Sequence, residues 1–394
     1  MVFTALRVIC SQNCERLRRK TSLLFQSPIM ATLTATWTGE SARPISTPPP
    51  SPKLQPVTAI YDRESNQGAE GATCCTPCPN DGYLPMYVQP TRLRTGSAYE
   101  WTMEMEKTVT RPYDYLSSQP GKDIRKQLLT ACNFWLNIDE TALKTIGTSV
   151  SMLHNASLLI DDIQDGSDLR RGQPSAHTIY GVAQTINSAN HAYFLAQKEL
   201  LGLREGSSMV NIFNEELINL HRGQGMDIYW RETVTTPTEQ EYLLMISNKT
   251  GGLFRLAIRL MQAVSSVSVD LVPLMDLLGL IFQIQDDYLN LTSQPMASAK
   301  GYCDDLEEGK FSYPVIHAIQ NDPSEQGWML DTLRSRPTDE HTKRQAVEYM
   351  TNVTQSLEYT RATIEWLMGR MRATLTELGP RNAAFEAVLD KIVT

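Results

Sequence analysis

From Tyr99 to the C-terminus the apolar residues recur at three- and four-residue steps. No stretch sustains the period-two alternation of Val, Ile and Thr that marks strands. The pattern predicts an all-α domain over residues 101–394. Leu143, Ile146, Val150, Leu153 and Ser157 make one helical stripe, which continues through Leu158, Leu159 and Ile160. A second apolar helix is expected from Leu271 through Leu291, while Gly172, Pro174, Pro237, Pro295 and Pro314 punctuate turns or helix starts. Residues 1–100 read differently. They are rich in Pro, Ser and Thr (STPPPSPKLQP), with few apolar residues at helical spacing after Phe25, the composition of a mostly disordered extension. The first 39 residues hold Arg7, Arg16, Arg18, Arg19 and Lys20 against Glu15 alone. Such a segment suits a mitochondrial-type targeting peptide or a solvated tail, so the expected compartment is cytoplasmic or organellar.

Both apolar stretches end in acids. The first delivers LLIDDIQDGSDLRRG, with Asp161, Asp162 and Asp165, and the second delivers FQIQDDYLN, with Asp286 and Asp287. Residues four apart share a helix face, so Asp161 and Asp165 form one bank, and Asp286 and Asn290 another. Carboxylates at the end of a buried helix call for a compensating cation. A calcium loop starting at Asp161 fails, because its third position is Ile163 and its twelfth is Gly172. Carboxylates without Cys or His at ligand spacing suit a hard ion such as Mg²⁺, which keeps waters and bridges to phosphate oxygens. Nearby bases agree with an anionic, phosphorylated substrate: Lys122 and Arg125, Arg170 and Arg171, Lys249, Lys300 and Lys310.

Composition narrows the alternatives. The net charge is −8, and removing the basic first 39 residues leaves −12, which excludes the basic face that nucleic acid requires. No apolar run reaches the ~18 residues of a membrane span. Seven cysteines in a chain of this size do not read as a disulfide framework. Cys75 and Cys78 have CxxC spacing, but no second pair or neighbouring His completes a zinc site.

The segments LHNASLLIDDIQDGSDLRRGQPSAH, GQGMDIYWR, NKTGGLF, FQIQDDYLNL and CDDLEEGKFSYPVIH together resemble the trans-isoprenyl diphosphate synthases, most of all the fungal geranylgeranyl diphosphate synthases. The resemblance covers about residues 110 to 325. It implies an antiparallel helical bundle around a deep central cavity, usually a homodimer, with the acid motifs on opposite walls. By the same resemblance Asp161 and Asp165, with Asp162, bind two Mg²⁺, and Asp286, with Asp287 nearby, leads a third site. Lys122, Arg125, His154 and Arg171 resemble an isopentenyl diphosphate site. Arg170, Lys249, Thr250, Gln283, Asn290, Lys300 and Lys310 resemble an allylic diphosphate site. Asp161, Asp165, Lys249 and Asp286 are the expected catalytic residues.

The implied chemistry is departure of an allylic diphosphate assisted by Mg²⁺ and cationic side chains, then attack by the isopentenyl double bond and proton loss. Gln224, Asp227 and Phe282 are expected to face the cation. Small Ala156 and Ser157, where fifteen-carbon synthases resemble one another in carrying bulky aromatics, imply a twenty-carbon product. Two departures stand out: the second motif ends in Asn290 where many relatives have Asp, and Gln285 stands where Arg is frequent. A farnesyl or longer-chain synthase, and a noncatalytic subunit of such an enzyme, are the alternative readings.

Overall fold

The computed structural model describes residues 91–92, 98–120, 124–293, 302–324 and 327–393, within a compact unit spanning Val88–Thr394. The expected disordered and targeting extension lies almost wholly outside the described residues, as do Lys122, Lys300 and the Cys74–Cys78 cluster. Among the described residues fifteen helices dominate, and the fold is all-α.

After a two-stranded pair, β1 (Thr91–Arg92) and β2 (Ala98–Tyr99), come α1 (Met103–Ser117), α2 (Ile124–Leu136) and α3 (Glu140–Gln164). A hairpin of β3 (Leu169–Arg170) and β4 (Gln173–Pro174) leads to α4 (Ala176–Tyr180), α5 (Val182–Leu200), α6 (Gly206–Thr233), α7 (Glu239–Lys249), α8 (Gly251–Val264) and α9 (Val272–Thr292). Short α10 (Asp304–Glu308) and α11 (Tyr313–Gln320), then α12 (Trp328–Arg334), α13 (Glu340–Asn352), α14 (Ser356–Glu377) and α15 (Ala383–Val393), complete the chain.

Helix α3 starts where the Asp139 carboxylate accepts the Ala142 N–H at 3.0 Å, a side-chain N-cap. Its stripe of Ala142, Ile146, Val150, Leu153, Ala156 and Leu159 is buried, chiefly against α5. That neighbour offers Thr185, Ser188, Ala189, Ala192 and Ala196, small enough for the two backbones to draw close. The buried Ser149 hydroxyl donates across the seam to the Ala196 carbonyl at 2.7 Å. Helix α9 buries residues around most of its circumference and packs on α8 and α14, which makes it a central element. Its Gly279 is required by that packing, since a Cβ there would lie 2.6 Å from the Gly251 Cα. The capping box of Thr238 and Glu241 starts α7, and α7 meets α8 with only Thr250 between them.

Candidate active site

Helices α3, α6, α7, α8 and α9 enclose a cavity of about 970 Å³, at the upper end of the ~300–1,000 Å³ usual for small-molecule sites. The acid-bearing ends of α3 and α9 both open into it. Asp161 and Asp165 line it from α3, and Asp286, Asn290 and Gln283 from α9. Arg125, His154, Arg170, Arg171, Lys249, Thr250 and Lys310 also line it, as do Gln224, Asp227 and Phe282.

Two carboxylates expected as ligands point elsewhere. Asp287 is fully buried: its Oδ2 accepts the Tyr242 hydroxyl and the Tyr313 N–H (2.8 Å), and its Oδ1 accepts Gln283 Nε2 at 2.9 Å. Burial pushes it up to about 6. Asp162 is 1% exposed and accepts Arg170 Nε at 2.6 Å on Oδ1, while its buried Oδ2 lacks a partner. Adjacent positions on a helix are about 100° apart, so Asp161 and Asp286 take the cavity face and their neighbours the protein face. Ala156, expected beside the cavity, packs instead with Leu116, Leu159, Ala176, Ala189 and Ala192; Ser157 alone of that pair faces the cavity.

The arginines at 170 and 171 come from the β3–β4 hairpin, with Arg170 opposite Gln173. Its two-residue turn has Arg171 at φ +55 and Gly172 at φ +75, the left-handed pair of a type I′ turn. This geometry separates the two side chains. Arg170 turns toward the acids, with Nη2 3.5 Å from Asp161, and Arg171 donates to the Gln119 carbonyl at 3.0 Å. Around Arg171 gather Arg125 and His154. Burial, then the Arg171 charge, lowers Arg125 to about 10. Burial and the three arginines push His154 well below its ordinary range, so its ring is neutral. The paired arginines, with a neutral His154 beside them, are chemically suited to an anion.

Lys249 lies 2.5 Å from Asp227 and 4.0 Å from Asp161. Burial alone would lower its pKa, but Asp227 and Asp161 outweigh it and keep the ammonium charged. Lys310, held by Asp305 at 3.2 Å with Asp287 at 3.9 Å, is raised by those acids for the same reason. Thr250 Oγ1 donates to Gln283 Oε1 at 2.6 Å, so Thr250, Gln283, Asp287 and Tyr242 form one chain of hydrogen bonds leading from the cavity wall to the buried Asp287.

Four residues around the site were not among those expected from the sequence. Arg231 binds Asp165 at 2.7 Å, Asp305 orients Lys310, and Tyr242 with Tyr313 cradles Asp287. Arg231 was signalled by its place four residues after Asp227, on the same face of α6. The tyrosines carried no comparable signal, because they are distant in sequence from the acid they hold.

Among the described residues no three acids, cysteines or histidines gather into a ready ion cage. Mg²⁺ seldom uses one: it binds through one or two carboxylates plus substrate phosphates. Asp161, Asp165 and Asp286, oxygen donors facing a cation-lined cavity, fit that manner of binding.

The family model described as Polyprenyl synthetase matches residues 106–350, and this chain belongs to that family of prenyltransferases, which act on isoprenoid diphosphates. Among particular relatives, a geranylgeranyl pyrophosphate synthase of Hypoxylon pulicicidum is 46% identical over 355 residues, 88% of this chain and 92% of its own. One from Fusarium fujikuroi is 50% identical, over 74% of this chain and 70% of its own. Another, from Aspergillus fumigatus, is 54% identical over 70% of this chain and 76% of its own. No helix among the described residues is long and apolar enough to cross a membrane.

Proposed function

We propose that the protein is a geranylgeranyl diphosphate synthase, condensing isopentenyl diphosphate head-to-tail with dimethylallyl, geranyl or farnesyl diphosphate. The observation that supports this most is a cavity lined both by Asp161 and Asp165 of α3 and by Asp286 of α9, together with Arg125, Arg170, Arg171, Lys249 and Lys310. When bound by Asp161, Asp165 and Asp286, about three ions per site, Mg²⁺ supplies charge neutralisation to the departing diphosphate. Arg170, Lys249, Lys310, Thr250, Gln283 and Asn290 hold the allylic diphosphate, with Lys300 outside the described residues as a further candidate. Arg125, Arg171 and neutral His154, together with Lys122, hold isopentenyl diphosphate. Leaving-group departure yields an allylic carbocation, which the neighbouring double bond attacks before a proton is lost. Holding both anions in register supplies much of the rate by proximity. Phe282 lines the cavity and is the aromatic candidate for stabilising the cation.

Ser157 leaves the α3 wall open, while Tyr193 and His221 meet edge to face across α5 and α6, ring centroids 6.1 Å apart, at the cavity surface. We assign the limit of chain growth to that ring pair. A homodimer is supported by exposed apolar side chains on α5 and α6, among them Phe194 (72% exposed) and Ile218. Purified protein with Mg²⁺, farnesyl diphosphate and isopentenyl diphosphate should give geranylgeranyl diphosphate on product chromatography. A fifteen-carbon or longer end product from the shorter allylic substrates would reassign the chain length. No elongation at all would favour a noncatalytic subunit.

A further inference from the structure

Helix α3 ends at Asp165, whose N–H donates to the Asp161 carbonyl at 2.8 Å, and Gly166 at φ +65 turns the chain away. The end of a helix carries orphan carbonyls and the negative pole of its dipole. A carboxylate there, four residues from another, is disfavoured on both counts. One side chain answers both problems. Arg231 of α6, 7% exposed, donates Nη1 to Asp165 Oδ1 at 2.7 Å and Nη2 to the Gln164 carbonyl at 2.8 Å. A guanidinium is planar and its donors diverge at fixed angles, so gripping the two acceptors sets the Asp165 carboxylate relative to the helix end. Arg170 and Lys249 differ: their closest carboxylate partners are Asp162 and Asp227, and they stand 3.5 and 4.0 Å from Asp161.

We propose that Arg231 is a positioning residue for the first metal bank, locking Asp165 in the orientation in which it shares a cation with Asp161. This rests on the reading of Asp161 and Asp165 as metal ligands. A point charge and a positioning fork predict opposite effects. As a charge alone, Arg231 repels a divalent ion, and its loss would tighten metal binding. As a fork it orients a ligand, and losses of that kind weaken metal affinity by roughly 10- to 100-fold.

The test is Mn²⁺ binding to the substrate-free protein, followed by electron paramagnetic resonance, for wild type, Arg231→Gln, Arg231→Lys and Asp165→Asn. We expect Asp165→Asn and Arg231→Gln each to weaken Mn²⁺ binding by about 10-fold or more. Arg231→Lys, which retains the charge but not the planar fork, should recover little of the loss. Isopentenyl diphosphate binding, on the Arg125 side, should stay within about twofold in Arg231→Gln. Unchanged or tighter Mn²⁺ binding in Arg231→Gln, with Asp165→Asn weakened, would overturn the positioning role and leave the metal bank standing. Full recovery in Arg231→Lys would overturn the planar fork, since a single ammonium would then suffice to orient Asp165. No effect of Asp165→Asn would overturn the metal bank itself. If thermal unfolding shows Arg231→Gln to be unfolded, Arg231→Lys, with its buried charge kept, carries the comparison and should bind Mn²⁺ about 10-fold more weakly than wild type.

Discussion

Gly223 of α6 sits where α7 comes closest, and replacing it with Ala tests whether the cavity depends on that approach. An added Cβ would lie 2.5 Å from the Lys249 nitrogen, 2.8 Å from the Met245 carbonyl oxygen and 2.9 Å from the Lys249 Cα. Unstrained contacts between such atoms begin near ~3.5 Å, so about 1 Å of separation must be found. All three obstacles are backbone, so no rotamer change relieves them and the end of α7 has to move. That end carries Lys249, whose Nζ lies 2.5 Å from Asp227, one turn beyond Gly223. Overpacking of this kind costs ~1–3 kcal/mol, offset by the ~0.5–1 kcal/mol that Ala gains over Gly inside a helix. The net loss of about 1–2 kcal/mol lowers Tm by roughly 2–8 °C. A shift of ~1 Å in a charged substrate-binding group costs up to ~100-fold in rate. Steady-state kinetics with both diphosphates and calorimetric melting measure the two effects. Gly225→Ala is the control, since its Cβ meets no atom within 4 Å and the change should be neutral or slightly stabilising. A Gly223→Ala protein as active and as stable as Gly225→Ala would refute the reasoning.

Asp286→Asn should raise the Mg²⁺ concentration needed for half-maximal activity; Asp287→Asn should leave it unchanged but destabilise the protein by roughly 1.5–3 kcal/mol through its buried hydrogen bonds. Equal metal dependence in the two variants would contradict their opposite facing. His317 stacks on Tyr359 at 4.1 Å and shares a hydrogen bond with Ser356, and burial lowers its pKa to about 4. Between pH 6.5 and 4 the unfolded chain binds a proton that the folded ring refuses, so this residue's contribution to stability is lost on acidification. His317→Gln should therefore flatten the wild-type fall in unfolding free energy over that window, a difference that cancels the opposite slope from Asp287. Tyr193→Ala should shift products beyond twenty carbons on chromatography, and an unchanged product would move the limiting wall elsewhere.

The separation of cavity-facing from buried carboxylate within each Asp pair was only half legible in the chain. Spacing could show that Asp161 and Asp165, or Asp286 and Asn290, share faces, because a period of 3.6 residues is a local property of the helix. It could not show that Asp287 is claimed by Tyr242 and Tyr313, 45 and 26 residues away. The RRG turn was visible as a turn, yet its left-handed Arg171 emerged only with the hairpin. Small residues were likewise visible at Ala156 and Ser157, but which of them bounded the cavity depended on where α5 lay.

By itself the sequence determined the helical class and the two acid-bearing helix ends, and it predicted hard-cation chemistry and phosphate-binding bases, since these follow from short-range periodicity and side-chain type. Tertiary structure alone decided which carboxylate of each pair meets the cavity, that Arg231 grips Asp165, and that Asp305 aims Lys310. Those outcomes depend on the angle and distance at which helices cross, and crossing is set by how the Gly223, Gly251 and Gly279 contacts close, a sum over residues far apart in the chain.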